Sequence, residues 1–271
     1  MVLFEEITKE QVAKLSKSEF LRQEPKTIHE ELRLLNNGVT LIFYSSGKLL
    51  LQGKEQEVQE VAKHLQKLGF KNRVPEENFR KESGWIIGSD ESLKGDTFGG
   101  IVVAAVKANE ESREKLIQLG VKDSKKLEDK EVLRLAEEIK NIVECEIKSL
   151  LPEEYNHHNN LANVTHLLNT LHKHCGDYLK PGKHIVDKYP GCNVGNLQEE
   201  KAESKYVEVA AASILARAGA LKQLSYLSGV AGFTLPKGST HVATALQDIK
   251  DKRLDFRKFV KTDFKNVKEF L

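Results

Sequence analysis

Between Trp85 and Val106 the chain carries two apolar runs separated by a polar turn that contains glycine. Trp85, Ile86 and Ile87 lead into Gly88-Ser89-Asp90-Glu91, and Ile101 to Val106 is apolar without a break. Continuous apolar runs of this length fit strands covered on both faces, so strands are expected at 85–90 and 100–107. Downstream, the spacing predicts a helix over 109–119, a loop over 122–127, a helix over 128–140 and a strand over 142–149. Helical spacing resumes over 161–179, Lys183 to Asp187 reads as a short buried strand, and Val207 to Leu224 as a helix rich in small residues. The tail from Lys250 to Leu271, which mixes Lys and Arg with apolar residues, reads as a packed terminal helix with a solvated basic face, the competing reading being a dedicated nucleic-acid contact. This alternation predicts an α/β domain.

The N-terminal third has a different rhythm. Thr8 and Gln11 stand at capping-box spacing ahead of a short helix carrying Val12 and Leu15. Val39, Leu41 and Phe43 alternate with Thr40, Ile42 and Tyr44, and Ser45-Ser46-Gly47 turns the chain into Lys48-Leu49-Leu50-Leu51, which predicts a hairpin. Val58, Val61, Ala62, Leu65 and Leu68 form one helical stripe, with Gly69 just past its end. Residues 70–84 lose all periodicity and hold Lys71, Arg73, Pro75, Arg80 and Lys81. The expected organisation is a small α+β domain over 1–72, a linker over 73–83 and an α/β domain over 84–271.

Composition narrows the class. With 271 residues, 39% hydrophobic and 30% charged, the chain suits a soluble globular protein, and no run is long enough for a membrane span. The first residues lack the basic and apolar regions of a signal peptide. Cys145, Cys175 and Cys192 are odd in number and scattered, which suits a reducing cytoplasm better than a disulfide framework. A net charge of +2 permits nucleic-acid binding without requiring it.

Chemistry concentrates where strands end in acids. Asp90-Glu91 follows an apolar strand and precedes a cation and a glycine, a setting suited to holding Mg²⁺. Asp187 closes the run His184-Ile185-Val186; by itself an acid there is also a common turn former. Glu203 falls at the start of the 207–224 helix, where the helix dipole alone could account for it. Neither a phosphate-binding Gly-x-x-x-x-Gly-Lys-[Ser/Thr] loop nor a Gly-x-Gly-x-x-Gly turn is present, so a nucleotide cofactor is not expected. His172-x-His174-Cys175 has no partner pair at zinc-finger spacing. Asp123-Ser124-Lys125 and Glu203-Ser204-Lys205 lack the nucleophile elbow of acyl-transfer enzymes.

Four segments in order, Asp90-Glu91-Ser92-Leu93-Lys94-Gly95-Asp96, Asp123-Ser124-Lys125-Lys126-Leu127, Ile185-Val186-Asp187, and Lys201-Ala202-Glu203 ahead of Ala210-Ala211-Ala212-Ser213, resemble bacterial ribonuclease HIII, a type 2 ribonuclease H. The stretch Tyr44 to Lys54 resembles that family's N-terminal domain, which is similar in fold to TATA-binding protein. The resemblance implies a ribonuclease H-like catalytic domain with a central mixed sheet, cutting the RNA strand of RNA/DNA hybrids. It implies Asp90, Glu91, Asp187 and Glu203 as catalytic carboxylates holding two Mg²⁺ or Mn²⁺ ions about 4 Å apart. In that scheme Asp90 bridges the ions, Glu203 completes the water-side ion, and Glu91 and Asp187 hold the leaving-group ion. Ser92, Lys94, Gly95 and Ser213 are implied as nucleic-acid contacts. The chain is expected to be a monomer.

Two positions depart from the family pattern. Leu93 stands where relatives carry Gly, at a site where a backbone meets the 2′-hydroxyl that marks RNA. Lys237-Gly238-Ser239 stands where ribonuclease HII commonly has Lys-Gly-Tyr for lone ribonucleotides. The second departure favours hybrids with several ribonucleotides. The competing expectations are a ribonuclease HII-like cutter at single ribonucleotides, and a hybrid-binding protein without useful catalysis.

Overall fold

The computed structural model describes residues 2–4, 7–15, 20–70, 79–80, 82–122 and 124–271. Most of the expected linker, residues 73–78 and 81, lies outside the described residues, as does Asp123. Two compact units form, Met1–Glu76 and Glu77–Leu271. Among the described residues no helix is long and apolar enough to cross a membrane.

The first unit is α+β. Its strands are β1 (Val2–Phe4), β2 (Leu21–Gln23), β3 (Glu30–Asn36), β4 (Val39–Tyr44) and β5 (Leu49–Gln52), with helices α1 (Lys9–Leu15) and α2 (Glu55–Lys67). They make one antiparallel sheet in the order β1-β5-β4-β3-β2. The expected hairpin is β4–β5, with Leu41 opposite Leu51. The capping box closes as expected, Thr8 N donating to Gln11 Oε1 (2.9 Å) and Gln11 N to Thr8 Oγ1 (3.2 Å). Leu34, Leu41, Leu49 and Leu51 from the sheet share one core with Val58 and Leu65 of α2. Strand β3 was absent from the sequence expectation because Glu30 and Arg33 break its alternation. Both are buried, and they satisfy each other through a 3.1 Å ion pair.

The second unit is the expected α/β domain. Its mixed sheet runs β10 (Leu197–Glu199), β9 (Lys183–Asp187), β6 (Ile86–Ser92), β7 (Ile101–Ala108), β8 (Glu144–Leu150). Strands β10, β9 and β6 are parallel, while β7 and β8 are antiparallel to their neighbours. The unbroken apolar run of β7 serves two cores, because successive side chains point to opposite faces. Val102, Ala104 and Val106 join the core containing Ala211, Ile214 and Leu215 of α7 (Val207–Ala231), together with α3 (Glu110–Gln118), α4 (Asp129–Ile142) and α8 (Ala243–Asp251). Ile101, Val103 and Ala105 join Leu167, Leu168 and Leu171 of α6 (Val164–Tyr178) and Tyr155 of α5 (Pro152–Leu161). Helix α7 crosses β6 so closely that a Cβ on Gly88 would sit 2.3 Å from Val209 N. Gly88 thus sets the depth at which α7 seats beside the acidic end of β6.

The helix expected over 161–179 is α6, capped by Asn163, which accepts from His166 N (2.9 Å); α5 ends at Leu161, where that spacing begins. Two expectations are corrected. Helix α7 runs seven residues past Leu224, to Ala231, before Gly232 ends it with φ +74°. The tail is not one terminal helix. After α8 ends at Asp251, only a 3₁₀ turn (Phe256–Lys258) and the one-turn α9 (Lys265–Lys268) are helical. Between them the chain runs alongside the β6–β7 loop, with Gly99 N donating to Phe259 O (3.0 Å) and Lys261 N to Thr97 O (3.1 Å). Phe259, Val260 and Val267 are buried there, so the apolar spacing that reads as a helix serves a clasp.

Candidate active site

Parallel pairing places the ends of β6 and β9 side by side, with Ser89 opposite Val186, so the acids that close both strands emerge at one sheet edge. Asp187 then fixes the third acid: its Oδ1 accepts from Ala202 N at 2.7 Å, docking the 3₁₀ turn Ala202–Ser204 that carries Glu203. Lys201, in the left-handed region at φ +55°, makes the bend into that turn. Glu203 therefore precedes α7 and is not part of it. The result is a cluster of Asp90, Asp187 and Glu203, whose carboxylate oxygens lie within 4.8 Å of one another.

Asp90 and Glu203 are buried and Asp187 half-buried. Burial, then the charges of Glu91 and Asp187, push the Asp90 carboxyl well above the usual carboxylate range. Burial, opposed by the Ala202 N–H and reinforced by Glu203 and Glu91, pushes Asp187 up to about 6. Glu203 has a local cation, Lys125 Nζ at 2.7 Å from Oε1. An all-oxygen donor set that repels itself in this way fits a hard divalent cation.

Glu91 is placed differently. Period-two alternation turns it to the α6 face, opposite Val103 in the register, whereas Asp90 lies opposite Ala104 on the α7 face. Its Oε1 accepts from Lys94 Nζ at 3.1 Å, and its Oε2 lies 3.3 Å from His172 Nε2. Burial works against its charge, but His172 and Lys94 outweigh that and hold the carboxyl below its usual range.

The expected nucleic-acid contacts divide as well. Ser92 and Lys94 are half-buried at the end of β6 and in the turn after it, and Gly95 is exposed with nothing within 4 Å of where a Cβ would stand. Ser213 is buried, its hydroxyl 2.9 Å from Ser124 Oγ and 3.5 Å from Glu203 Oε2. Leu93 takes the left-handed conformation at φ +69° despite its side chain, which is buried. The sequence reading missed Lys125 as the partner of Glu203, and His172 and Ser89 around Glu91. Only the position of Lys125 inside a quoted motif could have pointed to the first. His174, exposed, lies 3.9 Å from Glu146, and Cys175, whose thiol burial pushes up to about 12, packs against Val103; neither joins the cluster of Asp90, Asp187 and Glu203.

The family model for ribonuclease HII matches residues 87–267, a span that contains all four acids. Ribonuclease HIII of Bacillus subtilis is 32% identical over 273 residues, covering 86% of this chain and 84% of that protein. The chain belongs to the ribonuclease HIII family. Ribonuclease HIII of Aquifex aeolicus is likewise 32% identical, over 240 residues covering 85% of this chain and 86% of its own length. Among solved structures, Bst-RNase HIII in complex with Mn²⁺ is similar with a TM-score of 0.64 at 28% identity, over 99% of this chain and 97% of that one. The RNase HII in the PCNA:RNase HII complex from Archaeoglobus fulgidus matches 68% of this chain, with a TM-score of 0.60 and 28% identity. The second unit therefore has the ribonuclease H-like fold.

Proposed function

We propose that this chain is an endoribonuclease that hydrolyses the RNA strand of RNA/DNA hybrids, leaving 3′-hydroxyl and 5′-phosphate ends. The observation that carries the reading is the convergence of Asp90, Asp187 and Glu203 from three separate elements to within 4.8 Å, in a chain of the ribonuclease HIII family. These three residues and Glu91 would hold two Mg²⁺ or Mn²⁺ ions; the relative solved with Mn²⁺ supports the divalent class. When bound, such ions supply a water-derived nucleophile and neutralise charge on the leaving oxygen.

The chain's own groups do the rest. Lys125, itself exposed, balances Glu203, so removing Lys125 leaves the buried Glu203 carboxylate without its cation. Ser213 and Ser124 support Glu203 from inside the site, which gives Ser213 a supporting role and leaves substrate contact to Ser92, Lys94 and Gly95. The open backbone at Gly95 is free to approach a ribose. Residues 1–72 are assigned as a substrate-binding domain similar in fold to TATA-binding protein, joined by the 73–83 linker to a catalytic domain over 84–271. The protein is assigned as a cytoplasmic monomer; its three cysteines are free thiols.

The test is one gel comparing an RNA/DNA hybrid, a duplex with one embedded ribonucleotide, and plain DNA, with Mg²⁺ and with Mn²⁺. Cutting of the hybrid, with weak cutting of the single-ribonucleotide duplex and none of DNA, is expected. Preference for the single ribonucleotide would favour a junction cutter, and binding without cutting would leave a hybrid-binding protein.

A further inference from the structure

Behind Glu91 lies a buried polar chain that the four-carboxylate scheme does not use. His184 on β9, Ser89 on β6 and His172 on α6 are all buried. Ser89 Oγ stands 2.8 Å from His184 Nε2 and 2.8 Å from His172 Nδ1. At its far end His172 Nε2 faces Glu91 Oε2 at 3.3 Å, a close charge-facing contact that falls short of a hydrogen bond, and both of these buried atoms lack a hydrogen-bond partner among the described residues.

Counting hydrogens gives this chain a direction. A carboxylate oxygen only accepts, so the proton of a neutral His172 ring belongs on Nε2, facing Glu91. Nδ1 is then an acceptor and takes the single Ser89 hydroxyl hydrogen. Ser89 Oγ in turn accepts from His184 Nε2–H. Every proton along the chain thus points toward Glu91. The His184 ring is held in place, since a Cβ on Gly176 would come within 2.3 Å of its Nδ1, and burial keeps the ring neutral. The His172 ring is fixed by Tyr189, with centroids 5.2 Å apart, and Tyr189 OH is tied by a 2.9 Å bond to Asn169 of the same helix.

We propose that His172 is a positioning residue that aims the Glu91 carboxylate at the divalent-cation site from the α6 face of the sheet. The proposal rests on the metal-dependent nuclease reading. It differs from an ordinary buried core histidine in one consequence: the ring acts through Nε2, and only on Glu91.

Asparagine and glutamine separate the two ring nitrogens, because an Asn amide reaches the place of Nδ1 and a Gln amide that of Nε2. Mn²⁺ affinity of the full chain is measured by calorimetry without nucleic acid, beside the Mn²⁺ dependence, kcat and KM of hybrid cleavage. Outer-shell partners of metal ligands are worth 10–100-fold, so His172→Asn should weaken Mn²⁺ binding about tenfold and lower kcat with little change in KM. His172→Gln should stay within about threefold of the wild type. In a Glu91→Gln background, His172→Asn should change Mn²⁺ affinity no further. Should His172→Asn fail to fold, Ser89→Ala, which removes the hydroxyl bonded to Nδ1, should produce a smaller loss of the same kind. Because calorimetry reads the cation directly, the comparison holds whatever the nucleic-acid substrate. Equal Mn²⁺ affinity in wild type, Asn and Ala variants, with only melting temperature altered, would overturn the proposal. Equal losses in the Asn and Gln variants would overturn it too, as would a wild-type chain that takes up no Mn²⁺.

Discussion

Asp90 and Glu91 are neighbours in the chain but stand on opposite faces of the central sheet, Asp90 among acids and Glu91 between Lys94 and His172. Neutralising them should therefore have opposite effects on the metal-free protein. Asp90→Asn removes a repelled, buried charge and should raise stability by about 1 kcal/mol, roughly 2–4 °C in Tm. Glu91→Gln strands a cation and a histidine and should lower stability. Thermal unfolding in EDTA measures both; a loss of stability in Asp90→Asn would show that its charge is already compensated.

Asp187 adds a pH signature. Its carboxyl titrates near 6 in the folded chain against an ordinary value of 3.8. An acid with a raised folded value contributes stability below the unfolded value and loses it as pH rises through the folded one. The Asp187→Asn variant should accordingly be more stable than wild type at pH 7 without metal, and that advantage should shrink as pH falls from 7 to 5. Saturating Mg²⁺ should reverse the ranking, because the cation binds the ionised site of the wild type. Denaturation curves of both proteins at pH 5, 6 and 7, in EDTA and in Mg²⁺, provide the check. A difference that does not vary with pH would place the Asp187 titration elsewhere.

At Leu93 two terms compete. The left-handed conformation at φ +69° costs about 1–2 kcal/mol in a non-glycine residue. The side chain is buried, with Cδ1 2.8 Å from where a Cβ on Gly99 would stand. Removing it forfeits roughly 2–5 kcal/mol of packing. Leu93→Gly relieves the strain and loses the packing, for a net loss of about 1–3 kcal/mol; Leu93→Ala keeps the strain and should be the less stable of the two. Urea unfolding ranks them, and Ala above Gly would mean that strain is not stored there. The leucine absent from the family pattern thus acts as a buried contact, and Leu93→Gly is expected to loosen the loop more than it restores ribose recognition.

Lys261 has no exposed surface; its Nζ donates to Asp96 O (2.6 Å) and Gly99 O (3.0 Å), and burial lowers its folded value to about 7, against the pull of Asp96 and Asp263. A lysine depressed in this way contributes stability above its unfolded value near 10.5 and loses it as pH falls through the folded one. Wild type should gain stability relative to Lys261→Met between pH 7 and pH 9. A parallel pair of curves over that range would refute this assignment.

How far the sequence could be read follows from which contacts are local. The ends of β6 and β9 were legible because each apolar run stops at an acid, and β7 because burial on two faces leaves no polar position. Glu203 was legible as a candidate, but its 3₁₀ turn was not, since the turn is docked by Asp187 from 15 residues away. The His172 to Glu91 contact joins residues whose pairing depends on α6 crossing the sheet, and no local spacing encodes it. Strand β3 hid its pattern behind the Glu30–Arg33 pair, and the tail imitated a helix while serving as a clasp on the β6–β7 loop.

The most direct test of the central claim compares hybrid cleavage and hybrid binding for wild type, Asp90→Asn and Asp187→Asn at saturating Mg²⁺. Divalent cations held by these carboxylates would supply several kcal/mol of transition-state stabilisation, so each variant should lose about a thousandfold or more in kcat while binding the hybrid within a few-fold of wild type. Near wild-type cleavage by either variant would contradict the assignment of these carboxylates as the catalytic centre.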